Sequence, residues 1–418
     1  MSAMTAYIGV TAAYWALMLS DGALRMLVLL HFHTLGFSPV QLAYLFLLYE
    51  FAGMVTNLFA GWIAARVGMA FTLYVGLGLQ VAALLALAAL DQDWALGLSV
   101  AYVMVVQGVS GVAKDLAKMS SKSAVKILAP SRDGGLFRWV AALTGSKNAV
   151  KGVGFLLGAA LLALAGFQPT VLAMAAGLLI ILVLVLLAMP DSLPGGRKDV
   201  MMRDIYSRSS NINWLSAARV FLFGARDVWF VVGIPIYFYA VLSDGSEAGN
   251  RAAFFAIGSF MAVWIILYGA VQAAAPRLLG AAKRPESELV RQARSWAWVL
   301  SAIPAVLTVA VLTLPSQQPV LTGVLIVGLL VFGAVFALNS SLHSYLILAF
   351  SKSERVTLDV GFYYMANAGG RLLGTALSGL AYQLGGLTLM FAAASVMVAL
   401  SALAASRLSP EPAPESKP

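Results

Sequence analysis

Twelve apolar stretches of about 20 residues or more run through this chain, near 5–30, 40–65, 70–90, 95–120, 134–164, 170–189, 211–242, 252–275, 294–314, 319–350, 357–383 and 386–406. At a helical rise of about 1.5 Å per residue, each is long enough to cross a hydrocarbon core of about 30 Å. A chain of 418 residues that is 61% hydrophobic and only 11% charged does not have the composition of a soluble globular protein. The expectation is an all-α membrane protein with 12 transmembrane helices.

Lys and Arg gather in every other connection, and basic loops stay on the cytoplasmic side. One set carries Arg66; then Lys122, Lys126 and Arg132; then Arg197, Lys198, Arg203 and Arg208; then Lys283, Arg284 and Arg291; then Lys352 and Arg355. The alternate set holds Asp91 and Asp93, or Asp244 and Glu247 beside Arg251, or no charge. Both termini are therefore expected to be cytoplasmic. The first stretch has no basic n-region and no small-residue cleavage site, so it reads as an uncleaved span. The net charge of +9 is mostly this loop bias, and no nucleic-acid partner is implied.

The chain has no cysteine, which removes disulfides, thiolate metal sites and thiol nucleophiles. His31 and His33 fall at the outer end of the first span and His343 lies within the tenth, without partners at ligand spacing. They read as interfacial or helix-packing residues. No G-x-S-x-G, H-E-x-x-H or P-loop pattern is present. No catalytic residue, metal site or cofactor is expected.

The longest polar stretch between spans, Asp191 to Asn213, divides them six and six. The expected organisation is a first bundle over 1–190, a cytoplasmic linker over 191–210, a second bundle over 211–407 and a disordered Pro- and Glu-rich tail over 408–418. Internal similarity supports the division. Gly154-Phe-Leu-Leu-Gly158 in the fifth span resembles Gly370-Arg-Leu-Leu-Gly374 in the eleventh, and Gly22-Ala23 in the first resembles Gly224-Ala225 in the seventh. Equivalent spans matching in this order indicate parallel repeats about an axis normal to the membrane. After the second span stands Gly61-Trp-Ile-Ala-Ala65-Arg66-Val-Gly68-Met69-Ala70. It resembles the gating-loop motif of the major facilitator superfamily, G-x-x-x-[DE]-[RK]-x-G-[RK]-[RK]. Gly61, Arg66 and Gly68 fit, whereas Ala65, Met69 and Ala70 depart from it. The resemblance implies two six-helix bundles rocking about a central cavity.

Seven basic residues lie inside the apolar stretches: Lys114, Lys118, Lys147 and Lys151 in the first half, and Arg219, Arg226 and Arg371 in the second. A charge near the bilayer centre costs about 2.5–3.5 kcal/mol on insertion scales, so this many of one sign imply a cavity and an anionic occupant. Lys114, Lys118, Lys122 and Lys126 recur at intervals of four and share one stripe of the fourth span. The outer two of that row fit a cytoplasmic helix end, and the inner two lie deeper. Lys147, Asn148 and Lys151 fall close to mid-membrane in the fifth span, and Arg219 shares a face with Arg226 in the seventh. An arginine fork grips a carboxylate, phosphate or arsenate in two places and does not deprotonate. Asp21, Arg25, Glu50, Asp115 and Asp227 are candidates for ion pairing or proton coupling. Asn367, Gln272 and Tyr364 are candidates for added hydrogen bonds.

Three longer strings carry a narrower resemblance: Lys-Asp-Leu-Ala-Lys-Met-Ser-Ser-Lys-Ser-Ala-Val-Lys at 114–126, Leu-Thr-Gly-Ser-Lys-Asn-Ala-Val-Lys-Gly-Val-Gly at 143–154, and Ser-Ala-Ala-Arg-Val-Phe-Leu-Phe-Gly-Ala-Arg-Asp-Val-Trp-Phe at 216–230. Together they resemble the ArsJ family of organoarsenical efflux permeases. The resemblance implies export of 1-arseno-3-phosphoglycerate from a bacterial inner membrane by a monomer, in functional pairing with a glyceraldehyde-3-phosphate dehydrogenase. It implies no binding residue. The residues alone also leave open a carrier of another organophosphate or organic anion. A hydrophobic-drug exporter needs few cations, and a sensor or scaffold needs an appended soluble domain.

Overall fold

The computed structural model describes residues 3–91, 93–128, 135–188, 209–280, 284–315, 319–351 and 356–409. Twelve helices follow in chain order: α1 (Ala3–Thr34), α2 (Pro39–Val67), α3 (Met69–Ala88), α4 (Leu96–Leu128), α5 (Gly135–Ala165), α6 (Phe167–Ala188), α7 (Ser210–Phe230), α8 (Gly233–Leu242), α9 (Glu247–Leu278), α10 (Glu286–Thr313), α11 (Pro319–Phe350) and α12 (Val356–Ala405). Lipid offers the backbone no hydrogen-bond partner, so continuous helix is the form in which these apolar runs can be buried in it.

Two departures from one helix per span turn these helices into twelve spans. The seventh span is broken at Val231 and Val232, between α7 and α8. The N–H groups of Val232 and Gly233 both donate to the Ser378 hydroxyl, at 3.1 and 3.3 Å, so donors freed by the break are satisfied from α12. Conversely, the 50 residues of α12 would make a straight rod of about 75 Å, more than twice the bilayer core. It doubles back at Gly385 and Gly386, and its arms are the eleventh and twelfth spans. Gly386 has φ 57° and ψ −148°, a conformation that side chains strongly resist.

The spans form two six-helix bundles, α1–α6 and α7–α12. Each bundle contains a corresponding crossing, α1 with α5 and α7 with the first arm of α12, that is too close for a side chain. A Cβ on Gly154 would stand 2.4 Å from the Leu19 carbonyl oxygen, and one on Gly158 2.2 Å from that of Ala23. In the other bundle, a Cβ on Gly370 would meet the Val220 carbonyl oxygen at 2.1 Å and one on Gly374 that of Gly224 at 2.3 Å. The repeat read from the sequence is thus the same α-helical crossing built twice. Its register is shifted by one from the sequence match. Ala23, rather than Gly22, occupies the place of Gly224, which makes Arg25 the counterpart of Arg226.

The bundles meet through two further glycine contacts, α2 with α12 and α5 with α9. Cβ atoms on Gly379 and Gly258 would come within 2.4 Å of the Pro39 carbonyl oxygen and 2.7 Å of the Ala159 Cβ. At the end opposite the chain termini, the His33 ring packs edge-on against Tyr239 at 4.8 Å, and the Val40 N–H donates to Gln383 Oε1 at 3.2 Å. The Arg66 side chain and the surroundings of Gly61 in the gating-loop motif lie outside what is described. Gly68 there has φ 92°, and its carbonyl accepts from the Thr72 hydroxyl at 3.1 Å. The linker expected over 191–210 is described only from Ser209. Of the tail expected over 408–418 only 408 and 409 are described, and neither is loose: Leu408 is buried and Ser409 exchanges hydrogen bonds with Asn211 at 2.7 and 2.9 Å.

Candidate anion-binding site

Between the bundles lies a cavity of about 210 Å³. It is walled by α1, α4 and α5 from one side and by α7, α9, α11 and the first arm of α12 from the other. All eight residues expected to contact an anion line it: Lys114, Lys118, Lys147, Asn148, Lys151, Arg219, Arg226 and Arg371. Lys122 and Lys126, the outer lysines of the α4 stripe, have side chains outside the described residues.

Like charges this close need counter-charge, since two unit charges about 4 Å apart interact by about 4 kcal/mol at an effective dielectric of about 20. Four buried carboxylates supply it. Asp21 accepts from Lys151 at 2.7 Å and from the Tyr49 hydroxyl. Asp115 accepts from Lys118 at 2.6 Å and lies 3.7 Å from Lys114, whose ammonium sits 4.1 Å above the Tyr49 ring. Lys118 also donates to Asn57 Oδ1. Asp227 holds Arg226 at 2.5 Å and Arg371 at 3.4 Å. Glu50 receives both Arg25 and, at 2.5 Å, Arg371.

This last carboxylate joins the two halves, because Glu50 and Arg25 belong to α2 and α1 while Arg371 belongs to α12. A neutral link, from Asn148 to Gln272 Oε1 at 3.1 Å, ties α5 to α9. Arg219 differs from its neighbours. It donates to Asn367 Oδ1 at 2.9 Å, to the Ser340 hydroxyl at 3.0 Å and to the Ser340 carbonyl at 3.2 Å. Its guanidinium lies 3.9 Å from the centre of the Phe223 ring and 4.9 Å from that of Tyr363. Phe223 also faces Arg226 at 5.0 Å, one turn on, so the two arginines share a ring on one stripe of α7.

The structure adds Arg25 to the cavity wall. From the sequence it is a candidate for ion pairing only. The signal that finds it is the repeat in its structural register, where Arg25 and Arg226 are equivalent. Counting Arg25, eight cations line the cavity; Lys147 apart, seven of them face four carboxylates, a formal excess of three positive charges among the described residues. Phe155, Phe223, Phe230 and Tyr268 complete an apolar lining. Of the three histidines, His343 is fully buried in α11, one turn beyond Ser340. Among the described residues no group of His, Asp and Glu is arranged to hold a metal ion.

No protein-family model matches the chain, and no curated protein matches it. Solved structures do. A POT family transporter in complex with 5-aminolevulinic acid aligns with a TM-score of 0.75 at 14% identity, covering 95% of this chain and 94% of that one. A point mutant of the nucleoside transporter NupG aligns at 0.69 and 14% identity, covering 96% and 98%. A bacterial homologue of the iron transporter ferroportin, in an outward-facing state, aligns at 0.64 and 16%, covering 96% and 98%. Identities this low establish the shared fold and say nothing of what this cavity binds.

Proposed function

We propose that this chain is an alternating-access efflux transporter that exports an organoarsenical anion, 1-arseno-3-phosphoglycerate, and thereby confers resistance to arsenate. The observation that carries the reading is the cavity between the halves, with its eight cations and, Lys147 apart, a formal excess of three positive charges. A cavity of this charge favours a multiply charged anion and is a poor host for a neutral or cationic drug. The ArsJ-like strings at 114–126, 143–154 and 216–230 name the anion, and the residues they supply include six of the eight cations. The solved structures of like fold are transporters, which supports transport as the activity here.

On this reading the basic loops face the cytoplasm of a bacterial cell, and the chain works as a monomer in the inner membrane. A glyceraldehyde-3-phosphate dehydrogenase supplies the substrate by using arsenate in place of phosphate. Substrate entering between the bundles is held by lysines of α4 and α5 on one side and by Arg219, Arg226 and Arg371 on the other, drawing the halves together. A membrane potential of 100 mV, negative inside, is worth about 2.3 kcal/mol per charge, so about 7 kcal/mol for an anion of about −3 leaving the cell. Proton antiport through one of the buried carboxylates is the other available drive.

The test is arsenate tolerance and cellular arsenic in an arsenate-sensitive bacterium expressing this protein with and without a glyceraldehyde-3-phosphate dehydrogenase. Resistance and lowered arsenic only when both are present is the expected result. No change, with the protein verified in the membrane, would rule out the organoarsenical and point to exchange of another organophosphate.

A further inference from the structure

The positive charge in the cavity is not evenly balanced. Arg25 and Arg371 meet Glu50, Arg226 meets Asp227, Lys151 meets Asp21, and Lys114 and Lys118 meet Asp115. Arg219 has no carboxylate partner among the described residues, only Asn367, Ser340 and the faces of two rings, although it is itself buried. Neutral hydrogen bonds and ring faces orient a guanidinium and offset part of its lost hydration, but they do not cancel its charge. An ion kept in this state weakens the empty protein, and such a cost is expected where a ligand completes the pairing.

The surplus also has a place. Arg25, Arg226 and Arg371 share two carboxylates, an excess of one. On the remaining wall Lys114 and Lys118 share Asp115, Lys151 is matched by Asp21, and Arg219 adds its charge, an excess of two. Arg219 and Lys118 reach that wall from opposite halves at adjacent turns of α12, where Asn367 binds the first and the Tyr364 ring lies 5.5 Å from the second. Resting on the reading of this cavity as a substrate site, we propose that Arg219 anchors a doubly charged tetrahedral oxyanion, a phosphoryl or arsonyl group. The second, singly charged group of the same substrate reaches Arg25, Arg226 and Arg371. Arg219 thereby sets the preference for substrates with one doubly charged end.

Thermal unfolding of the full chain in lipid nanodiscs tests this with three probes: glycerate, glycerol 3-phosphate and 3-phosphoglycerate. The wild type is expected to be stabilised most by 3-phosphoglycerate and least by glycerate. In Arg219→Gln, affinity for 3-phosphoglycerate should fall by about 100-fold, as for loss of one partner in a buried charge pair, while glycerate binding is unchanged. The ligand-free variant should melt no lower than wild type, because an uncompensated buried charge has gone. Arg219→Lys, which keeps the charge without the fork, should lose part of the phosphate preference. Equal loss for glycerate and 3-phosphoglycerate, or a ligand-free Arg219→Gln protein that melts well below wild type, would overturn the assignment. Phosphate-selective binding that survives Arg219→Gln would overturn it while leaving the cavity as a substrate site. A wild type that binds none of the three would overturn both.

Discussion

Glu50 illustrates how single residues make a cationic cavity tolerable in a membrane. Its carboxylate is 1% exposed and takes an arginine from each half of the molecule. Glu50→Gln would leave Arg25 and half of the Arg371 contact uncompensated, and breaking one side of a buried pair typically costs about 3–5 kcal/mol. Thermal unfolding of the purified variant should show the loss, and adding Arg25→Gln should restore part of it. For transport the sensitive positions are different. Lys147→Ala should abolish export without reducing the amount of folded protein in the membrane, and Arg226→Ala should abolish it beyond any loss of folded protein caused by leaving Asp227 to Arg371 alone; unimpaired export in both would defeat the proposed function. The basic residues themselves were legible in the sequence, because charge inside an apolar run stands out. Their partners were not: Asp21, Glu50, Asp115 and Asp227 were visible as acids, with no sign of which cation each would meet.

At the scale of the helix, glycine and serine decide the shape of the cavity walls. Gly158 and Gly374 let α5 and the first arm of α12 lie directly on α1 and α7, and those crossings set the rotation of Lys151 and Arg371 toward the centre. Gly158→Val would push against the Ala23 backbone, which has little room to give, so a loss at the upper end of the about 1–3 kcal/mol typical of overpacking is expected in unfolding experiments. Gly9 and Gly177, with nothing near their missing side chains, should accept alanine with little change. The break in the seventh span depends on a different residue. Ser378→Ala removes the acceptor for two buried backbone N–H groups and should cost about 1–3 kcal/mol for each group left unsatisfied. Faster amide exchange confined to the region of Val232 and Gly233 would report it. A period of apolar residues predicts a span and cannot reveal this break, since Val231 and Val232 are as apolar as the helix around them.

For the molecule as a whole, the two halves touch at the end opposite the chain termini and enclose the charged cavity between them. If transport proceeds by rocking, the contact of His33 with Tyr239 must open once in each cycle. The chain contains no cysteine, so it can be tested without preparatory substitutions. Cysteines at positions 33 and 239, joined by a short bifunctional reagent, should stop transport, whereas either single cysteine treated with the same reagent should not. Transport that continues in the joined protein would exclude this motion. The helical spans were readable from apolar length, and the fold shared with solved transporters from span count, the repeat and the position of the loop motif at 61–70. The structure moved the repeat by one residue, and that correction brought Arg25 into register with Arg226.

The amino-acid sequence by itself determined how many times the chain crosses the bilayer and which basic residues lie within the crossings. Both follow from local free energies, the transfer of about 20 apolar residues into lipid and the cost of a charge there. Only the tertiary structure decided which charges meet. Glu50 and Arg371 are 321 residues apart, and their contact depends on the rotation and axial shift of two helices in different halves. A soluble helix advertises its rotation through one apolar face, but a helix that is apolar nearly all round carries no such stripe. The rotation is set instead by close backbone contacts at a few glycines. Those contacts brought Arg25, Arg226, Arg371, Lys118 and Lys151 onto carboxylates and left Arg219, among the described residues, with neutral partners alone.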